Sequence, residues 1–388
     1  MIRALLDLGN RVTLLLLNQS EEKTTSAELK ARLEKHYGCI NLNVEVRRHP
    51  NYVKKESTFF SRLDTKFKIS HHYNELTYHD ALINNEKMLP GNFKKTIMSN
   101  LGSGEYDFAW FNYMKVKPSN LKKSKTKIII DMHDMQSARV KVDVLPEIRP
   151  SRRKTYLKRF IASELKEINN CDIAVSISPV ETNAIQETYK PKAKLVTLKA
   201  TDDQRFVLSK SFEYDITFIG SNSSPNVDGL AWFITDVLPT IFKKNAKAKF
   251  LIQGNINRNR KIKEAISKSD FATRVIQQGF VESLTPIYES SKVIICPIRY
   301  GTGMKIKVVE GMAYGKAIVG TPVAFEGIDT SHGLICVSEP ESFAGAVLEL
   351  LENPVARNNA QLVSRKTFSE QHSYAALTAE IQKLLQEA

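Results

Sequence analysis

The chain has 388 residues, 42% hydrophobic and 25% charged, and lysine plus arginine outnumber aspartate plus glutamate by 56 to 42, a formal charge of +14. That length exceeds one ordinary core and predicts two domains of roughly 150–200 residues each, while no apolar run of about 18 residues exists to form a transmembrane helix. Cys39, Cys171, Cys296 and Cys336 show no CxxC spacing, which predicts reduced thiols in a cytoplasmic protein and argues against a zinc site.

The N-terminus reads as a helix, MIRALLDLGN, with Asp7 and Gly9 where a secretory leader would run on unbroken, so no signal peptide is predicted. A strand follows at 11–17, RVTLLLL. Residues 50–98 hold His71, His72, Tyr73 and His79 among many charges, without period. Loops and short helices are expected there. Two basic stretches come next, KVKPSNLKKSKTK (115–127) and RPSRRKTYLKRF (149–160). Their plainest reading is a solvated face and the sharper one a surface turned to an anionic membrane. No aromatic residues interleave with these charges in an RNA-binding pattern, so nucleic acid is not an expected partner.

Strands are predicted at 127–134 (KIIIDMHD) and 172–178 (DIAVSIS). Functional residues gather at the carboxyl ends of parallel strands, which makes His133 a candidate; the plainer alternative is a histidine that merely closes the strand end. Asp131 and Asp134 read as turn and cap residues. Ser178, with Glu181 three residues later, reads as a helix cap. Tyr288 and His79 carry no argument beyond their residue type. The polar segment 199–213 marks a domain boundary, after which a fresh strand, YDITFIG (214–220), opens a second half. Gly220 and Ser221 begin its first turn and are placed to touch phosphate, and Asn226 is expected to cap the helix at 226–245. Further strands are predicted at 249–254, 292–298 and 316–322. Alternating apolar strands and helices predict an α/β protein with parallel sheets. The tail, 370–388, reads as an amphipathic helix with Leu377, Ile381, Leu384 and Leu385 on one face.

The stretch RYGTGMKIKVVEGMAYG (299–315) reads as loop then helix, stopped near Gly315. A helix that follows a glycine turn presents free N–H groups and its positive dipole end, an anion site suited to phosphate. Arg299 and Lys307 would add charge; Lys305 either joins them or faces solvent. Glu310, three residues after Lys307, is suited to accept hydrogen bonds from a ribose. The alternative is a surface Lys–Glu pair, worth a few tenths of a kcal/mol, but Val308, Val309, Met312 and Ala313 make the helix look buried.

These segments resemble the donor-site signature of glycosyltransferase family 4. ITFIGSNSSPNVDGLAWFITDVLP (216–239), VIQQGFVESLTPIYESSKVIICPIRYGTG (275–303) and TPVAFEGI (321–328) resemble its motifs in order, from Asp215 to Phe368. The resemblance implies the GT-B fold, two Rossmann-like α/β domains facing a cleft. Residues 1–200 would bind acceptor, residues 201–368 would bind donor, and a C-terminal helix, 369–388, would pack back on the first domain. It implies a retaining, metal-independent transferase that uses a nucleotide-sugar as co-substrate and no cofactor. Gly220, Arg299, Gly301, Thr302, Gly303, Met304, Lys307 and Glu310 form the implied donor site. Lys307 meets the donor phosphates, Glu310 the ribose, and residues 301–303 the sugar and diphosphate. His133 matches a histidine near the donor sugar, so His133 and Lys307 are the expected catalytic residues. Thr302 stands where many relatives carry a second glutamate, which leaves the sugar open. The usual first strand and its glycine loop are lacking, which suggests either a start upstream or a shortened relative. The expected partners are a nucleotide-sugar, a glycan or lipid-linked acceptor, and the anionic inner face of the cell membrane. A sugar-binding pseudo-enzyme and a nucleotide-sugar epimerase of the same fold are the alternatives.

Overall fold

The computed structural model describes residues 1–18, 26–37, 42–48, 89, 91–118, 121, 125–143, 145–206 and 211–387. His71, His72, Tyr73, His79 and Cys39 lie outside them. The chain divides into one unit of Met1–Leu198 with Thr378–Ala388, and a second of Lys199–Leu377.

The first unit runs α1 (Ile2–Asp7), β1 (Val12–Asn18), α2 (Ser26–Tyr37), β2 (Leu42–Arg48), α3 (Gly91–Ser103), β3 (Phe108–Asn112), β4 (Lys127–Asp131), α4 (Gln136–Asp143), α5 (Pro150–Asn169), β5 (Ile173–Ser176), α6 (Pro179–Tyr189) and β6 (Lys194–Thr197). Helix α3 replaces the irregular structure expected through residue 98. Its apolar residues Phe93, Ile97 and Leu101 recur every fourth position and are buried, a period thinned by the polar residues between them. Strands β1 and β2 pair in parallel, and β3-β4-β5-β6 form a separate parallel sheet. Leu15 of β1 still packs against the cluster of Phe93, Ile97, Leu101, Phe111 and Ile128.

The second unit runs β7 (Tyr214–Ile219), α7 (Ser224–Trp232), α8 (Leu238–Lys244), β8 (Phe250–Gln253), α9 (Arg260–Ser267), β9 (Val275–Gln278), α10 (Thr285–Ser290), β10 (Ser291–Cys296), α11 (Ile306–Ala313), β11 (Ala317–Gly320), β12 (Ile335–Cys336), α12 (Pro340–Glu352) and α13 (Pro354–Gln371). A last helix, α14 (Tyr374–Glu387), contributes residues to both units and buries Leu377, Ile381 and Leu384, the face expected from its period. The single helix expected over 226–245 is interrupted by a π-turn at Phe233–Val237. Pro239 has no N–H to offer the carbonyl of Thr235, so the backbone widens there.

Six parallel strands lie in the order β12-β11-β10-β7-β8-β9. The chain winds outward from β7 to β9, then returns to the other side of β7 with β10. Ligands of such sheets bind at this reversal, outside the carboxyl ends of the strands. The turns after β7 and β10 flank it. The core beneath is aromatic: the Phe233 ring lies 5.3 Å from Phe250 and 5.7 Å from Phe343, all fully buried.

Candidate functional site

After β10 the chain turns through Gly301 and Gly303, at φ of 125° and 73°. Side chains with a Cβ rarely adopt this conformation, so the glycines set the turn. Lys305 locks it from inside. Its Nζ donates to the Gly303 carbonyl and lies 3.4 Å from Glu326 Oε2. Lys305 is therefore tucked against the turn rather than extended into solvent. Helix α11 then begins without a side-chain cap, leaving its first N–H groups and positive dipole end for an anion.

Lys307 and Glu310 stand one turn apart on a helix whose remaining residues after the exposed Ile306 are buried, and they do not pair with each other. Lys307 Nζ donates to Asn226 Oδ1 at 2.6 Å and lies 4.6 Å from the centre of the Phe218 ring. Burial pulls its ammonium down to about 8, with Lys305 acting in the same direction. Glu310 Oε2 accepts a hydrogen bond from the fully buried Tyr288 hydroxyl at 3.3 Å, and burial raises its carboxyl. The Tyr288 ring stacks on Tyr314 at 4.1 Å, and the Tyr314 hydroxyl bonds Thr285 Oγ1 at 2.8 Å. A cation and an anion are thus held separately, each by its own neutral partner.

Gly220 closes β7 beside this pair. A Cβ there would come within 2.6 Å of the Phe218 ring and 3.3 Å of Asn226 Nδ2. Asn226 Nδ2 donates to the Ser221 carbonyl at 2.9 Å. The structure therefore joins Gly220, Ser221, Asn226 and Lys307 across the strand reversal. Asn226 is not the expected cap. Ser223 holds the N-cap position of α7, and Asn226 sits inside the first turn, where its amide is directed at Lys307. Thr302 is exposed, and Met304 is buried, so any ligand contact by Met304 is through its main chain. Arg299 is engaged elsewhere. Its Nε donates to Asp228 Oδ2 at 2.9 Å and its guanidinium lies 5.8 Å from the centre of the Trp232 ring. There it lines a groove of about 380 Å³ with Lys261 and Glu264 of α9 and Lys268 just beyond that helix.

In the first unit, His133 follows β4 at φ 59°. Its Nε2 meets Asn112 Oδ1 and lies 3.7 Å from Asp131 Oδ1. The ring stacks on Tyr113 at 4.0 Å. Asp131 ends β4; burial pushes its carboxyl up, and His133 works against that. Ser178 caps α6 as expected, accepting from the Glu181 N–H at 3.2 Å. The Glu181 side chain serves a different loop.

Sequence reasoning missed Asn226 as the partner of Lys307 and Tyr288 as the partner of Glu310. The spacing of Pro225-Asn226 after the glycine of β7 was a signal for the first. Nothing local marks the second.

Residues 213–353 match the family model described as Glycosyl transferases group 1. An uncharacterized 44.6 kDa protein in the cps region of Klebsiella pneumoniae is 30% identical over 156 residues, 37% of this chain and 40% of that one. The chain thus spans about two fifths of that relative's length. Among solved structures, sucrose-phosphate synthase of Thermosynechococcus elongatus superposes with a TM-score of 0.61 at 12% identity, over 97% of this chain and 99% of the other. HepE of Anabaena, in complex with UDP and glucose, gives 0.59 at 11%, over 96% and 99%. TarM of S. aureus, in complex with UDP among other ligands, gives 0.55 at 14%, over 68% and 52%. The fold is GT-B, with two parallel-sheet α/β domains. The group 1 likeness thus lies in the second unit, and these neighbours, all under 25% identical, show the fold. Among the described residues no helix is long and apolar enough to cross a membrane.

Proposed function

We propose that the protein is a retaining, metal-independent glycosyltransferase that moves a hexose-type sugar from a nucleoside-diphosphate sugar to a glycan or lipid-linked acceptor in surface polysaccharide biosynthesis. The observation that carries this reading is the half-buried ammonium of Lys307 at the start of an uncapped helix, beside the reversal of a parallel sheet. Desolvation of an ammonium is costly, and a neutral amide oxygen offsets only part of it. A diphosphate would supply the missing anion.

Transfer breaks the bond between the anomeric carbon and a phosphate oxygen, and negative charge grows on the departing diphosphate. Lys307 and the amides of α11 stabilise that charge as it develops, the electrostatic catalysis of an oxyanion site. Asn226 holds Lys307 in place. Glu310, oriented by Tyr288, accepts hydrogen bonds from the ribose hydroxyls. Main-chain groups of Gly301, Thr302 and Gly303 take the sugar side of the diphosphate. His133 is assigned to a hydroxyl of the sugar or of the acceptor. HepE and TarM are seen with UDP, so a UDP-sugar is the first donor to test. The cps-region relative supports a polysaccharide acceptor.

The first unit supports a peripheral contact with an anionic inner leaflet. On α5 the cations Arg152, Lys154, Lys158, Arg159 and Lys166 face outward or lie at the surface, while the helix's two carboxylates, Glu164 and Glu167, are buried. Each exposed cation contributes on the order of 1 kcal/mol at such a surface. Incubation with radiolabelled UDP-, GDP-, ADP- and dTDP-sugars and a polysaccharide or lipid-linked acceptor tests the assignment. Transfer of label supports it. Binding without hydrolysis or transfer, or interconversion of the free donor, removes it.

A further inference from the structure

We infer that Glu181 and Glu164 are positioning residues for His133: two buried carboxylates from two different helices grip three successive amides after it and so fix the loop on which it stands. The inference rests on the reading that His133 faces a substrate.

The first N–H groups of a helix have no partner within the helix. The usual remedy is a serine, threonine or aspartate just ahead of it. Helix α4 is instead preceded by Met135, which has no capping group. The Met135 N–H donates to Glu181 Oε1. The Gln136 N–H donates to Glu164 Oε1 at 2.7 Å and the Ser137 N–H to Glu164 Oε2 at 3.0 Å. Glu164 comes from α5, 28 residues away, and Glu181 from α6, 46 residues away.

Both carboxylates are costly to bury. Glu164 is 2% exposed and Glu181 8%. Burial raises the carboxyl of Glu164 and pushes that of Glu181 up to about 7, with Asp134 and Glu164 as its charged neighbours. A local cap would close the helix without that desolvation, so helix capping alone does not account for them. The remaining bonds extend the grip. Tyr189 donates its hydroxyl to Glu164 Oε2 and also meets Ser137 Oγ. Because Ser178 caps α6, the Glu181 carboxylate is free to span two loops, and its Oε2 accepts from the Ile177 N–H at 3.3 Å. The turn after β5 is thereby tied to the loop after β4.

Two residues before the gripped amides stands His133, in the left-handed region that a residue with a Cβ leaves unless its surroundings hold it. Asn112 and Tyr113 hold the ring from one side. The two carboxylates hold the backbone from the other. Without them the loop is expected to relax toward ordinary backbone angles and carry the imidazole away.

The test compares Glu181→Ala, Glu181→Gln and Glu164→Gln in the full chain, with 13C-labelled histidine to follow the His133 resonance, assigned by its loss in His133→Ala. In Glu181→Ala the His133 signal is expected to shift or broaden and kcat to fall at least tenfold. UDP affinity, read by calorimetry, should stay within twofold of wild type. Glu181→Gln keeps an acceptor oxygen and should recover part of both losses, and it serves as the test if the alanine variant does not fold. A His133 signal and a kcat unchanged in folded Glu181→Ala and Glu164→Gln would overturn the proposal, since a role limited to stability lowers Tm alone. Wild-type protein that turns over no donor removes the transferase reading, and the resonance of His133 still decides this one.

Discussion

The turn after β10 and the loop after β4 each place a candidate side chain, Lys307 and His133, at the carboxyl end of an inner parallel strand. After β10 the means are local. Two glycines with positive φ, a lysine folded back on the carbonyls of Thr302 and Gly303, and a helix start all lie within Gly301–Ile306. After β4 the means are distant. His133 is kept in a left-handed conformation by Asn112 on β3 and by the carboxylates of Glu164 and Glu181 on two helices. The first arrangement suits a group that must hold charge, because helix amides and glycines bring backbone donors close to the ligand. The second suits a group that must hold a direction.

The largest expected effect is Lys307→Ala, at least about 100-fold in kcat/KM, the scale of losing one donor to a developing oxyanion. Steady-state transfer of radiolabelled sugar measures it. His133→Ala comes next. A fall of about 10–100-fold confined to kcat, with diphosphate affinity kept, would show that the first-unit loop serves orientation. Equal losses in affinity from both variants would erase the contrast between the two regions.

Proton linkage gives a smaller effect. The Lys307 pKa in the folded protein, about 8, lies below its ordinary 10.5. Between those values the unfolded chain binds more protons, so stability rises with pH there; below 8 the cost of the buried ammonium is present in full. Lys307→Met should therefore raise Tm at neutral pH and flatten that rise. Binding runs the other way, because a diphosphate requires the ammonium. UDP affinity should be level below pH 8 and fall by as much as about tenfold per unit above it, which calorimetry across that range checks. The smallest effect is Arg299→Ala, less than about 1 kcal/mol of stability by denaturant unfolding, because its pair with Asp228 is partly exposed.

The same contrast decides what the sequence could reveal. Continuous apolar strands marked most of the second unit's parallel sheet, and a glycine turn before an apolar helix marked Lys307 and Glu310, because those signals are local. Strands β2, β3, β6, β9 and β12 were not recognised; β6, KLVT, is four residues long and partly exposed, and β12 has only two residues. The π-turn is visible only in hindsight through Pro239. The partners of the site residues were the least legible. Asn226 lies 81 residues from Lys307, Tyr288 22 from Glu310, and Glu181 46 from Met135, and no periodicity spans such intervals. Arg299 shows the converse, a cation placed well in sequence whose side chain the fold directs to Asp228.

Calorimetric titration of wild type, Lys307→Ala and Glu310→Ala with both pyrophosphate and UDP tests the central claim most directly. The account predicts that Lys307→Ala weakens both ligands alike, whereas Glu310→Ala weakens UDP by about 10–100-fold, the value of 1.5–3 kcal/mol for hydrogen bonds to a charged group, and leaves pyrophosphate unchanged. Wild-type affinities for both ligands in the two variants would contradict it.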